Sequence, residues 1–255
     1  MTISTCLISG AGNTFHLVND AQTTSWSLEH KRKFAVKICE IQEADGFIFL
    51  RNGAELSWNF YNNDGSLAEM CGNATRCVGF YVSQILNDQK TTWKLKTVAG
   101  PIEIEQLDPE NYKVIMTAIE IYKSAQGFYC DTGVPHLIQE IEDFATFRKQ
   151  KETACELRNS EEFQPRGTNV TYVQLLHDKN KVKAVSFERG VEDFTAACGT
   201  GAMAAAAFNL MKRGSAETQV EMPGGTLMMN LSDLNHPVMI GPAKLIGKYE
   251  YEESV

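Results

Sequence analysis

Long apolar runs are missing from this 255-residue chain. No stretch approaches the ~18–20 consecutive apolar residues of a membrane span, and the longest candidate, residues 202–211, is short and built mainly of alanine. Residues 1–10 lack the basic start and sustained apolar core of a signal peptide. The expected location is therefore the cytoplasm, with no membrane partner. Basic charge is scarce as well: 24 Lys and Arg against 32 Asp and Glu give a formal net charge of −8. A general nucleic-acid binder needs a basic face to displace phosphate counterions, so nucleic acid is excluded as a partner. A small anionic substrate stays open, because local dipoles can outweigh net charge at one site. Seven cysteines are present, but none forms a C-x-x-C pair and the five histidines are scattered. Such spacing gives a zinc site no support. An odd number of thiols, without an export signal, also argues against a disulfide framework. Most of the seven read as small buried hydrophobes, Cys77 among them.

What is present allows a packed core: 43% of residues are hydrophobic and 22% charged, outside the range of disordered chains. The length accommodates one large domain or two of roughly 100–130 residues. An internal repeat decides for two. The segment from Phe60 to Cys71-Gly72 aligns without a gap on the segment from Phe187 to Cys198-Gly199, a displacement of 127. Val98-Ala99-Gly100-Pro101-Ile102 matches Met222-Pro223-Gly224-Gly225-Thr226, and Val114-Ile115-Met116 matches Val238-Met239-Ile240, both displaced by 124. His16-Leu17-Val18 echoes His136-Leu137-Ile138 at a displacement of 120. Four matches in one order imply duplication, and a period this long means two similar domains instead of a solenoid. The expected boundary lies near residues 117–124. Residues 1–116 with 244–255 would form the N-terminal half, and 117–243 the C-terminal half.

Short β-rich segments bounded by turn residues occur at 3–8, 47–50, 56–61, 92–98, 112–116, 168–175, 182–187 and 227–231. Helical patterns cover 72–86, where Val78, Tyr81, Val82 and Ile85 share a face, and the alanine-rich 202–212. Further amphipathic helices are expected over 26–41 and 143–157. The fold class is α+β: two pseudosymmetric halves, each a mixed or mostly antiparallel sheet around a central helix.

Cys71 and Cys198 each stand where a loop meets a helix start, just before a glycine. Unpaired N–H groups there carry partial positive charge, so each thiol is expected below its reference pKa of roughly 8.5. A lone Cys-Gly before a helix is more often structural. Equivalent cysteines in both copies of a repeat point to chemistry. With the helix starts facing each other, a carboxylate could take N–H bonds from Gly72, Asn73, Gly199 and Thr200. Its α-carbon would then lie between two sulfurs, one removing a proton and one donating it. Developing charge would fall on the cradled carboxylate. No metal and no pyridoxal phosphate is needed.

These stretches closely resemble diaminopimelate epimerases. The likeness rests on Gly10-Ala11-Gly12-Asn13-Thr14-Phe15, on Asn62-Asn63-Asp64-Gly65-Ser66, and on Glu69-Met70-Cys71-Gly72-Asn73. It continues through Glu188-Arg189-Gly190, Ala197-Cys198-Gly199-Thr200-Gly201-Ala202, Pro223-Gly224-Gly225 and Gly241-Pro242-Ala243. The resemblance implies a two-domain fold, no cofactor, and a substrate in the cleft between domains. It implies interconversion of LL- and meso-2,6-diaminoheptanedioate, an amino acid with two amino-carboxylate ends, feeding lysine and peptidoglycan synthesis. It makes Cys71 and Cys198 the acid/base pair. Asn13, Asn62, Asn169, Glu188 and Arg189 match substrate-binding positions, while His136 and Glu188 match residues that tune the thiols. The residue types agree: Arg189 offers a bidentate fork for a carboxylate and Glu188 can hold an ammonium. A homodimer is compatible with this reading.

Three positions depart from the family pattern. Val134 replaces an asparagine before Pro135-His136, Thr14 replaces an aspartate after Asn13, and Gly46 stands where glutamine is common. Looser discrimination at the far end of the substrate is the expectation. The rival readings are a broader amino-acid racemase of the same mechanism, related to proline racemase, an isomerase working without the cysteine pair, and a non-catalytic ligand-binding homologue.

Overall fold

The chain alternates strands with few helices, and a computed structural model describes residues 1–68, 70–98 and 100–253. Glu69 and Ala99, which stand in two of the motif segments, lie outside the described residues, as do Ser254 and Val255 of the N-terminal half. Two compact units emerge: Met1–Val114 with Gly241–Val255, and Ile115–Ile240.

In the first unit β1 (Thr2–Gly10) pairs antiparallel with β2 (Asn13–Asn19). After α1 (Leu28–Gln42), β3 (Gly46–Arg51) runs parallel to β2 and β4 (Leu56–Asn62) returns antiparallel. α2 (Gly72–Phe80) then leads to β5 (Thr92–Thr97), parallel to β4, followed by antiparallel β6 (Gly100–Gln106) and β7 (Asn111–Ile115). The second unit begins with a hairpin, β8 (Glu120–Ser124) and β9 (Gly127–Asp131), and then repeats that order. β10 (Pro135–Glu140) is followed by α3 (Lys151–Arg158), a parallel β11 (Asn169–Leu175) and an antiparallel β12 (Lys181–Glu188). Past the two-residue β13 (Asp193–Phe194), α4 (Gly199–Arg213) leads to β14 (Glu217–Met222), parallel to β12, and to antiparallel β15 (Gly225–Asn230) and β16 (Val238–Pro242). β17 (Lys244–Glu252) returns to pair with β1. The α+β class is thus observed, with one order of parallel and antiparallel pairings used twice.

Side-chain alternation explains how each sheet carries helices on two faces. In β3, Ile48 and Leu50 join the core beneath α2 with Ala74, Cys77, Val78 and Tyr81. Phe47 and Phe49 point the other way, onto Phe34, Ala35 and Ile38 of α1. Each such fully buried side chain contributes about 1.5–3 kcal/mol. In the second unit Val170, Tyr172, Val185 and Phe187 face Ala154 of α3. The opposite face of that sheet receives α4, buried on every side from Gly201 to Asn209. A helix enclosed this way must be apolar all round and slim, which its alanines provide.

Two helical expectations are modified. The first half of 143–157 is a 3-10 helix, Phe144–Gln150, capped by the Asp143 side chain. Its three-residue turn stacks Phe144 and Phe147 on one side, against the same cluster. Beyond Phe80, residues Tyr81–Ile85 form a wider π turn that continues α2. Among the described residues no helix is long and apolar enough to cross a membrane.

Candidate active site

In the first unit Cys71 caps α2 with extended backbone, φ −148° and ψ 119°. It is half-buried, and its carbonyl accepts the first helical bond, from Thr75 N–H at 2.9 Å. The N–H groups of Gly72 and Asn73 precede that bond and so have no partner within the helix. A Cβ on Gly10 would lie 2.7 Å from the Asn73 carbonyl oxygen and 3.0 Å from Cys77 Sγ. Only glycine therefore lets the end of β1 approach this helix start, which brings Asn13 beside Asn73, whose Nδ2 donates to Asn13 Oδ1 at 2.6 Å. Asn62 lies farther along β4, its Nδ2 donating to Ser66 Oγ at 2.9 Å within the following turn. Cys77 is fully buried, as its helix position implied, with burial pushing its thiol upward.

The second unit surrounds its sulfur with polar groups. Cys198 caps α4 in the same backbone conformation, φ −143° and ψ 107°, and its Sγ accepts Gly201 N–H at 3.3 Å. Thr200 Oγ1 lies 3.5 Å from that sulfur and 3.0 Å from His136 Nε2. On the far side of the ring, His136 Nδ1 meets Thr171 Oγ1 at 2.9 Å, and Thr171 meets Ser186 Oγ at 2.8 Å. Strand register makes these contacts: His136 stands opposite Asn169, and Thr171 opposite Ser186. Gly201 completes the enclosure, since a Cβ there would lie 2.0 Å from Ser186 Oγ.

Hydroxyls donate or accept as needed, and neutral histidine does one at each nitrogen. The Thr200 hydroxyl can therefore point in two directions. With a thiol, Cys198 S–H donates to Thr200, Thr200 O–H to His136 Nε2, and Nδ1–H to Thr171. With a thiolate, the Thr200 hydroxyl turns to donate to sulfur, beside Gly201 N–H and the Ser186 hydroxyl. No histidine cation is involved: burial, helped by the Arg189 charge, holds the His136 pKa down to about 3.

One electrostatic expectation fails at Cys198. Burial pushes its thiol above the ordinary range and the Glu188 carboxylate adds to this, while Thr200, Gly201 and Ser186 pull the other way. A helix terminus contributes at most about 2 kcal/mol, and removing a thiolate from water outweighs it.

The other anticipated residues divide. Asn169 is buried, with Oδ1 accepting Arg189 N–H at 2.8 Å and Nδ2 donating to His136 Nε2 at 3.4 Å. It thus orients protein groups. Glu188 ends β12 and accepts the Thr195 hydroxyl. Arg189 is exposed, with Nη1 donating to the Arg166 carbonyl at 2.6 Å. Thr14 takes up a carboxylate from elsewhere: its N–H donates to Asp45 Oδ2 at 2.7 Å. Gly46 leaves no opening, because a Cβ there would lie 2.8 Å from the Phe60 ring and equally close to the Tyr61 carbonyl. Val134 is half-buried, its carbonyl accepting from Thr132. Thr171, Ser186 and Thr195 were missed by sequence reasoning. The signal available was period-two alternation, which puts Thr171 on the face of Asn169 and Ser186 on that of Glu188. Among the described residues no cluster of His, Cys, Asp or Glu is arranged to hold a metal ion.

The order of pairings used twice along the chain defines a fold seen in other proteins. It is shared with the phenazine biosynthesis PhzF-family protein of Bacillus anthracis, at TM-score 0.79 and 14% identity, covering 99% of this chain and 100% of that one. A hydroxyproline epimerase from Agrobacterium vitis matches at TM-score 0.70 and 14% identity, over 98% and 91%. Sequence narrows the class. The diaminopimelate epimerase family profile matches residues 5–121 and 128–246. Diaminopimelate epimerase of Aquifex aeolicus is 34% identical over 80% of either chain. That of Methanopyrus kandleri is 32% identical over 95% of this chain and 87% of its own. The chain belongs to the diaminopimelate epimerase family, and it is an isomerase.

Proposed function

We propose that the protein epimerises 2,6-diaminoheptanedioate between its LL and meso forms, using Cys71 and Cys198 as a proton-removing and proton-donating pair. The observation that carries this reading is the equivalence of the two sulfurs: each caps the inner helix of its own unit in nearly one backbone conformation. The α-carboxylate takes N–H bonds from Gly72, Asn73, Gly199 and Thr200. One thiolate removes the α-proton, and the electron pair left on carbon spreads onto the carboxylate, where fixed donors gain strength. The opposite thiol delivers its proton to the other face. The first sulfur ends protonated and the second as thiolate, and exchange with water resets the pair. Reversing the reaction exchanges their roles. Arg189 and Glu188 supply a fork for a carboxylate and a partner for an ammonium. Reduced thiols suit a cytoplasmic enzyme, and the product suits lysine and peptidoglycan synthesis.

Deuterium from solvent should enter the α-position of diaminopimelate with the wild type, and this exchange should be lost or severely reduced in Cys71→Ala and Cys198→Ala. Normal epimerisation by either variant would sink the pair. A broader racemase is favoured by one feature, Val134, whose side chain cannot hydrogen-bond a distal amino-carboxylate. Turnover of shorter dicarboxylic or neutral amino acids would support it, and strict rejection with ordinary diaminopimelate affinity would refute it.

A further inference from the structure

Arg76, on the second turn of α2, is fully buried, with 0% of its surface exposed. Burying a cation is costly, and an apolar side chain of similar volume would fill such a place more cheaply. Burial pulls its pKa down to about 10, where it still carries charge at neutral pH. Its hydrogen bonds indicate what the charge does. A guanidinium has five donors and no acceptor, so every group it bonds must turn an oxygen toward it. Nη2 donates to Asn73 Oδ1 at 2.9 Å, Nη1 to the Gly72 carbonyl at 3.4 Å, and Nε to the Pro242 carbonyl at 3.4 Å.

A carboxamide has nearly the same shape either way round, so its orientation depends on its partners. With Oδ1 of Asn73 held by Arg76, its Nδ2 must face Asn13, and Asn13 must answer with oxygen at 2.6 Å. The remaining group of Asn13 is then its NH2. We propose that Arg76 is a positioning residue whose guanidinium, acting through Asn73, sets the polarity of Asn13 so that N–H donors face a bound carboxylate. This deepens the proposed function and rests on it. Together with the N–H groups at the start of α2, the subsite becomes donor-only, which selects an anion over an amide.

Asn73→Asp tests this without emptying the core. The new carboxylate keeps the shape and pairs with Arg76, so melting temperature should hold or rise. It cannot donate to Asn13, whose amide should turn over and present oxygen outward. KM for diaminopimelate should rise about ten- to hundredfold, the worth of a hydrogen bond to a charged group. The preference for a carboxylate ligand over the matching carboxamide should fall by a similar factor. Arg76→Met should lose the same preference, and Arg76→Lys, which still donates, should recover part of it. Wild-type KM and preference in Asn73→Asp would overturn the proposal, even if Arg76→Met failed to fold. A wild type unable to exchange the α-proton would instead overturn the functional reading, and this proposal with it.

Discussion

Thr200→Val removes one hydroxyl and keeps the shape, which makes it a sharp probe of the chain around Cys198. That hydroxyl lies 3.5 Å from Cys198 Sγ and 3.0 Å from His136 Nε2. When the sulfur is a thiolate, the hydroxyl donates to it beside Gly201 N–H. Losing a donor to an anion costs about 1.5–3 kcal/mol, or about ten- to hundredfold in rate. The helix start should survive, because the Thr200 backbone is unchanged and its carbonyl keeps the Thr132 hydroxyl at 3.2 Å. The direction is set by which form is stabilised. Removing a donor from the thiolate pushes the Cys198 thiol further up, so less thiolate exists at a given pH. The rising limb of kcat/KM against pH should therefore move to higher pH. An enzyme cannot shift the equilibrium it catalyses, so kcat/KM should fall by the same factor from the LL and from the meso side. Proton exchange followed by NMR in deuterated solvent would measure both. Unchanged rates with an unmoved limb would refute the role given to this hydroxyl.

Gly201→Ala places a methyl 2.0 Å from Ser186 Oγ, so Ser186 or the helix start must move. A stability loss of about 1–3 kcal/mol with greatly reduced activity is expected, and a wild-type thermal scan with normal turnover would contradict it. His16, stacked on Phe47 at 5.8 Å, is held by burial at a pKa of about 4. The unfolded chain takes a proton near pH 6.5 that the folded one refuses. Stability is therefore lost as pH falls from about 6.5 to 4, by up to about 1.4 kcal/mol per pH unit. His16→Phe should flatten that slope in urea titrations run at a series of pH values, and parallel curves for variant and wild type would count against the argument.

Much of the strand pattern was legible because alternation and turn residues are local properties. β3 and β4 could be read directly from the Phe47–Leu50 run and the residues after it. Other strands, such as β10 with its Pro135 start and β2 with its Asn13-Thr14 start, offer little local signal and exist because a neighbour pairs with them. The 3-10 turn at Phe144–Gln150 has the sequence pattern of a regular helix, because spacing of apolar residues does not distinguish the two.

The amino-acid sequence by itself determined the duplication, and with it the equivalent places of Cys71 and Cys198 in the two copies. A repeat is a relation between letters and needs no coordinates. It also placed each sulfur at a helix start, since capping and helix propensity act over a few residues. Only the tertiary structure decided what surrounds each sulfur. Thr171, Ser186 and His136 meet through strand register between segments far apart in the chain, and Arg76 gains its meaning from the amides packed over it. The direction of the Cys198 shift was decided there too: the helix terminus is a local effect, whereas desolvation sums over everything the fold packs around the thiol.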